Sequence, residues 1–180
     1  MTTKETITHS ALETFYIEGF HAAGVDKLSQ NAGVTKRTLY HHFEDKAALI
    51  KSALELRDRQ FMDQVRGYLS NVSKKLRPLG YINYIAIWVQ KTSFNGCFFI
   101  NAAAEYGNTR EDPHKLAKKH KDELRLYLKQ LCKEAGIIKY SLVAQQLFLL
   151  GEGLIVATQV CGPQKEIIDA TKKAACLLID

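Results

Sequence analysis

Residues 32–50 read AGVTKRTLYHHFEDKAALI, and the way this stretch divides decides the fold. Gly33-Val34 is a turn signal between two short helical segments, and Thr35 is placed to cap a helix over residues 36–43. Asp45 is placed to cap a second, longer helix reaching about Tyr68, with Leu49, Ala53, Leu56, Phe61, Val65 and Tyr68 as its inward candidates. At about 1.5 Å per residue that helix is a strut.

The short helix has two distinct sides. Taking Lys36 as zero and turning about 100° per residue, Leu39 falls near 300° and Phe43 near 340°, which marks the buried side. Opposite, at roughly 100° to 200°, lie Arg37, His41 and Thr38, with Lys36 and Tyr40 along one edge and His42 along the other. A helix that enters the major groove needs long donors to reach guanine N7 and O6, and hydroxyls and lysines at its margins to hold phosphates. This face offers both, although any exposed helix face is polar, so polarity alone does not settle a role.

Working outward, residues 3–18 form a first helix with Ile7, Ala11, Leu12 and Phe15 on one side and Gly19 at the place of a C-terminal cap. A second, short helix covers about 25–32. Beyond the 70–77 linker, apolar residues recur at spacings of three and four, and helices are expected over about 79–94, 96–106, 113–135, 139–161 and 163–179. Breaks at Asn95-Gly96, Gly107-Asn108, Gly136 and Gly162-Pro163 separate them. No stretch alternates as a strand would. The chain is expected to be all-α, with about nine helices: a helix-turn-helix head at residues 1–47 and a larger helical body at 48–180.

Composition narrows the classes further. The 180 residues are 46% apolar and 24% charged, as in an ordinary globular protein, and the net charge is +6. The head does not carry that charge: residues 1–50 hold five Lys and Arg against six Asp and Glu, so bulk charge cannot be the argument for nucleic acid. The N-terminus lacks the apolar run of a signal peptide, and the apolar stretch 142–161 is interrupted by Gln145, Gln146, Glu152 and Gln159, so a buried helix, no membrane span and a cytoplasmic location are expected. Cys97, Cys132, Cys161 and Cys176 lack zinc-type spacing and are expected as free thiols. No GxSxG, HExxH, phosphate-binding loop or paired-carboxylate motif is present, so the expectation is no enzyme, no metal and no cofactor.

Residues 32–50 resemble the signature of the TetR family of bacterial regulators, and the likeness extends back through Ala11-Leu12, Phe15, Gly19-Phe20, Val25, Leu28 and Ala32, covering about residues 7–50. The resemblance implies that Thr38 and Tyr40 contact phosphates, with Lys46 neutralising another. It places Thr35, Lys36, Arg37 and His41 where operator bases or adjacent phosphates are met, Arg37 as the guanine reader. Two departures stand out. Ala22-Ala23-Gly24 occupies a place where a hydroxyl cap is frequent, and Ser29 replaces the usual alanine. The resemblance further implies a repressor of transcription, released from duplex operator DNA by a small-molecule effector and paired as a homodimer through the last two helices. An activator or a co-repressor-dependent regulator would use the same residues.

In the body, Trp88, Phe98, Asn101, Tyr127, Gln145, Phe148 and Glu152 are the candidates for an effector site suited to an apolar or aromatic molecule, against core filling as the plainer role. Gln145, Glu152 and Gln159 recur every seven residues and form one polar column, open to three readings: a solvent strip, inter-helix hydrogen bonds, or the lining of a cavity. Cys97 stands at a helix start, where amide dipoles favour a reactive thiolate, so a thiol sensor is an alternative to an inert core cysteine. His114, His120 and the lysines around them read as a solvated face.

Overall fold

The computed structural model describes residues 2–179, and among these it is helical throughout its regular elements, with no strand. The helices are α1 (Thr3–Glu18), α2 (Val25–Asn31), α3 (Lys36–His42), α4 (Lys46–Ser70), α5 (Arg77–Val89), α6 (Phe98–Glu105), α7 (Asp112–Glu134), α8 (Tyr140–Cys161) and α9 (Lys165–Leu177), with a single 3₁₀ turn at Lys74–Leu76. Differences from the sequence-based spans lie at element ends. The largest is α5, which stops at Val89, five residues before the expected end.

Local chemistry accounts for these boundaries. Thr2 and Glu5 close a reciprocal capping box over the first turn of α1, and Gly19 ends that helix at φ +89°. Gly33 takes φ +66°, a left-handed conformation that favours glycine, between α2 and α3. The Asp45 carboxylate accepts from the Ala48 amide at 2.7 Å and starts α4. Gly24 precedes α2 with no side-chain cap, so the missing hydroxyl noted in the sequence is not replaced by another side chain.

The chain divides into two compact units. The first runs through Phe61 and also takes in Phe98–His120; the second comprises Met62–Cys97 and the chain from Lys121 onward. In the first, α2 packs on α1 and α3, and Ile7, Phe15, Phe20, Leu28, Leu39, Leu49 and Leu54 are buried. In the second, α5 packs on α8 and α9, which also pack on each other.

Helix α8 is the one helix among the described residues long and apolar enough to cross a membrane by length and composition. About 39% of its apolar window is buried within the fold. Leu142, Leu149, Val156 and Val160 remain exposed on it.

Candidate nucleic-acid interface

The recognition candidate is α3, and its geometry follows from one cap and two anchors. The Thr35 hydroxyl accepts from the Thr38 amide at 3.1 Å and lies 2.9 Å from the Thr38 hydroxyl, fixing the first turn. Leu39 and Phe43, at 1% and 3% exposure, hold the opposite side in the core. Arg37 and His41 are consequently exposed, Thr38 is half-buried, and Tyr40 presents its ring at 48% exposure. The His41 and His42 rings meet edge to face, with centroids 5.2 Å apart.

Two of the sequence candidates have partners inside the head. Lys36 forms an exposed ion pair with Asp26 of α2. Lys46 donates to the His21 carbonyl at 3.1 Å, and partial burial lowers its ammonium pKa against the opposing pull of Glu105. Surface pairs of the Lys36 kind are worth little, so a phosphate can compete for that lysine. Lys46 has an internal tether as well as a place at the start of α4.

The α1–α2 turn carries a feature invisible to local sequence reading. The Glu105 carboxylate accepts the consecutive amides of Phe20 (2.9 Å) and His21 (2.7 Å), and its backbone carbonyl lies 3.0 Å from His21 Nε2. The His21 ring packs on Tyr106 at 4.7 Å, and Phe20 packs on Phe98 at 4.8 Å. Gly19 allows this approach, because a Cβ there would lie 3.0 Å from a Glu105 oxygen. The last residue of α6 thus caps the turn from 85 positions away.

The body candidates separate. Phe98 belongs to an aromatic cluster of the first unit with Tyr16, Phe20 and Phe99. Asn101 is half-buried on α6 in that same unit. In the second unit Trp88 meets Phe94 edge to face, Arg66 lies over the Tyr127 ring, and Arg125 bridges Gln145 (3.0 Å) and the Phe148 ring. Glu152 pairs with Lys121. The polar column therefore bonds to α7 through two of its members, while Gln159 borders a cavity of about 390 Å³ with Phe94, Asn95, Thr158 and Pro163. A second cavity, about 230 Å³, lies in the first unit among Leu54, Asp58, Phe99, Leu116 and His120. None of the seven effector candidates lines either of these two cavities.

His120 departs from the solvated-face expectation. It is 2% exposed, stacks on Phe99 at 3.7 Å and bonds Asp58 at 2.6 Å. Among the described residues no group of three or more metal-type side chains is gathered.

Residues 7–53 match the family model described as bacterial regulatory proteins, tetR family. Through that stretch the chain is similar to the TetR family. The activator FasR of Mycolicibacterium smegmatis is 39% identical over 70 residues, covering 39% of this chain and 32% of FasR. The regulator UidR of Escherichia coli is 38% identical over 83 residues, 46% of this chain and 39% of UidR. The matched stretch thus spans between about a third and two fifths of these relatives' length. Over whole chains, a TetR-family regulator from Streptomyces coelicolor superposes with a TM-score of 0.90 at 24% identity, covering 98% of this chain and 94% of that one. One from Cytophaga hutchinsonii gives 0.86 at 18% identity, covering 98% and 92%. At those identities the likeness is one of fold: the TetR architecture with its N-terminal helix-turn-helix.

Proposed function

We propose that this TetR-like chain is a sequence-specific DNA-binding regulator of transcription, with residues 1–47 reading DNA and residues 48–180 serving effector binding and pairing. The observation that carries the reading is α3, held by Leu39 and Phe43 while Arg37, Thr38, Tyr40 and His41 line its outer side. Arg37 supplies the bidentate donor that guanine recognition requires, and Thr35, Lys36, Thr38, Tyr40 and Lys46 hold phosphates or neighbouring base edges. Because the head is not positively charged overall, these few placed contacts rather than bulk attraction account for binding.

Pairing is supported by the outer face of α8. Leu142, Leu149 and Val156 recur every seven residues and stand exposed, and Leu177 of α9 is exposed as well. A stripe of this kind is stabilised by a second copy, and two heads related by two-fold symmetry would read a near-palindromic site at about 34 Å spacing. The regulator acts as a repressor whose operator affinity falls when an apolar or aromatic effector binds the body; Trp88, Tyr127, Gln145, Phe148 and Glu152, all of the second unit, are its candidate contacts. The activator reading is kept in view by FasR, which bears that name.

The test is a fluorescence-anisotropy titration with the duplex flanking the chain's own gene, at two salt concentrations and with competitor DNA. Binding that survives competitor and weakens steeply with salt supports the proposal. Binding abolished by competitor at both salts rejects sequence-specific reading. Fusing the target promoter to a reporter, with and without the gene, then decides the sign of regulation.

A further inference from the structure

One partly buried polar cluster in the second unit is unused by DNA reading. Cys97, the residue before α6, is 4% exposed, and its Sγ accepts from the Lys121 ammonium at 3.5 Å. That ammonium is held by both Glu152 oxygens, at 2.7 and 2.8 Å, and the Lys121 and Glu152 side chains are each 19% exposed. The cation is therefore fixed beside sulfur rather than waving in solvent.

Tyr81 of α5 supplies the second, independent observation. It is fully buried, and among the described residues its hydroxyl is the one buried side-chain polar atom with no hydrogen-bond partner. It points at α8 next to Glu152, where Gly151 makes room: a Cβ on that glycine would sit 2.8 Å from the hydroxyl oxygen. Burial first, then the proximity of Glu152 and Cys97, pushes the Tyr81 phenol well above its usual range, so the group is a permanent O–H donor. Fully buried donors are ordinarily satisfied, and one kept without an acceptor against the α8 turn that carries Glu152 marks a place where an acceptor arrives.

We propose that Cys97 is a modification site for small hydroperoxides, with Lys121 and Tyr81 stabilising the oxidised sulfur. The Cys97 sulfur attacks one peroxide oxygen, an S–O bond forms as O–O breaks, and the departing oxygen leaves as water or an alcohol with the proton that the thiol gives up. Cysteine is oxidised to the sulfenic acid and the hydroperoxide is reduced. Lys121 stabilises the charge developing on the departing oxygen, Glu152 holds Lys121 in place, and Tyr81 donates to the oxygen newly carried by sulfur. The near-closed surface at Cys97 restricts entry to small oxidants. Cys132 provides an internal contrast, because burial pushes its thiol up to about 11 and leaves it protonated at neutral pH.

The experiment treats the full chain with hydrogen peroxide or with the bulky cumene hydroperoxide, removes either oxidant by rapid gel filtration, and unfolds the protein in urea containing dimedone before peptide mass mapping. We expect the Cys97 peptide to carry dimedone at least ten times faster than the Cys132 peptide, and faster with hydrogen peroxide than with cumene hydroperoxide. Lys121→Met should slow labelling at Cys97 at least tenfold. Tyr81→Phe should slow it several-fold while leaving the reduced protein no less heat-stable, since it removes only the unsatisfied hydroxyl. Cys97 labelling no faster than Cys132 in the unmodified sequence overturns the proposal whatever the variants do, as does unchanged labelling in a folded Lys121→Met. The readout is mass alone, so it stands or falls separately from operator binding.

Discussion

Arg37 and Tyr40 are three positions apart on α3, yet they should fail differently. An arginine that reads guanine edges discriminates by about 1–3 kcal/mol per base pair, whereas a phosphate contact carries no sequence information. Arg37→Ala is expected to weaken binding to the preferred site and flatten the ranking of single-base operator variants. Tyr40→Phe should lower affinity by a similar factor on all of them. Anisotropy titrations across an operator panel distinguish the two, and a uniform loss for Arg37→Ala removes it as the reader. These residues were legible in sequence because everything that orients them lies within eight positions: Thr35 caps, Leu39 and Phe43 anchor, and the outward set follows from helical periodicity. His120 was not legible, because its burial depends on Asp58, 62 positions earlier, and on the Phe99 ring.

Among elements, α4 shows how much a single cap accomplishes. Its first turn is closed by the Asp45 carboxylate on the Ala48 amide, and an N-cap replaced by alanine typically costs about 1 kcal/mol. Asp45→Ala should lower the melting temperature by a few degrees, with Asp45→Ser restoring most of the loss; no shift in differential scanning calorimetry would remove the cap from the account of α4. Helix α8 illustrates the limit of one-dimensional reading. The heptad column Gln145, Glu152 and Gln159 was visible as an anomaly on an apolar rod, but its meaning required α7, which brings Arg125 to Gln145 and Lys121 to Glu152. Periodicity locates a face, while tertiary neighbours decide what the face is for.

For the molecule as a whole, the proposed pairing rests on the exposed α8 stripe. Replacing Leu149 by glutamate should convert a dimer to a monomer in analytical ultracentrifugation while leaving helical content unchanged, because the side chain is exposed in the isolated chain. A dimer that persists would assign pairing to another surface. The helix count and the two short helices around Gly33 followed from caps, glycines and periodicity, and their reading as a helix-turn-helix from the resemblance, whereas the division into compact units followed from neither, since α6 and the start of α7 join a unit otherwise built from the first 61 residues. Glu105 is the sharpest instance. Removing its carboxylate leaves the Phe20 and His21 amides without their acceptor, and Glu105→Ala should cost roughly 2 kcal/mol and speed hydrogen exchange at those two amides. Unchanged exchange there would show the turn to be held by packing instead.

That carboxylate also bears on any attempt to build hybrid regulators by grafting this head onto a foreign body. A transplant cut after the strut's first half would arrive without the oxygen atoms that complete its own first bend, and the recipient would have to supply an acidic side chain at the same spot. A successful chimera here should therefore carry residues 98–120 together with the N-terminal segment.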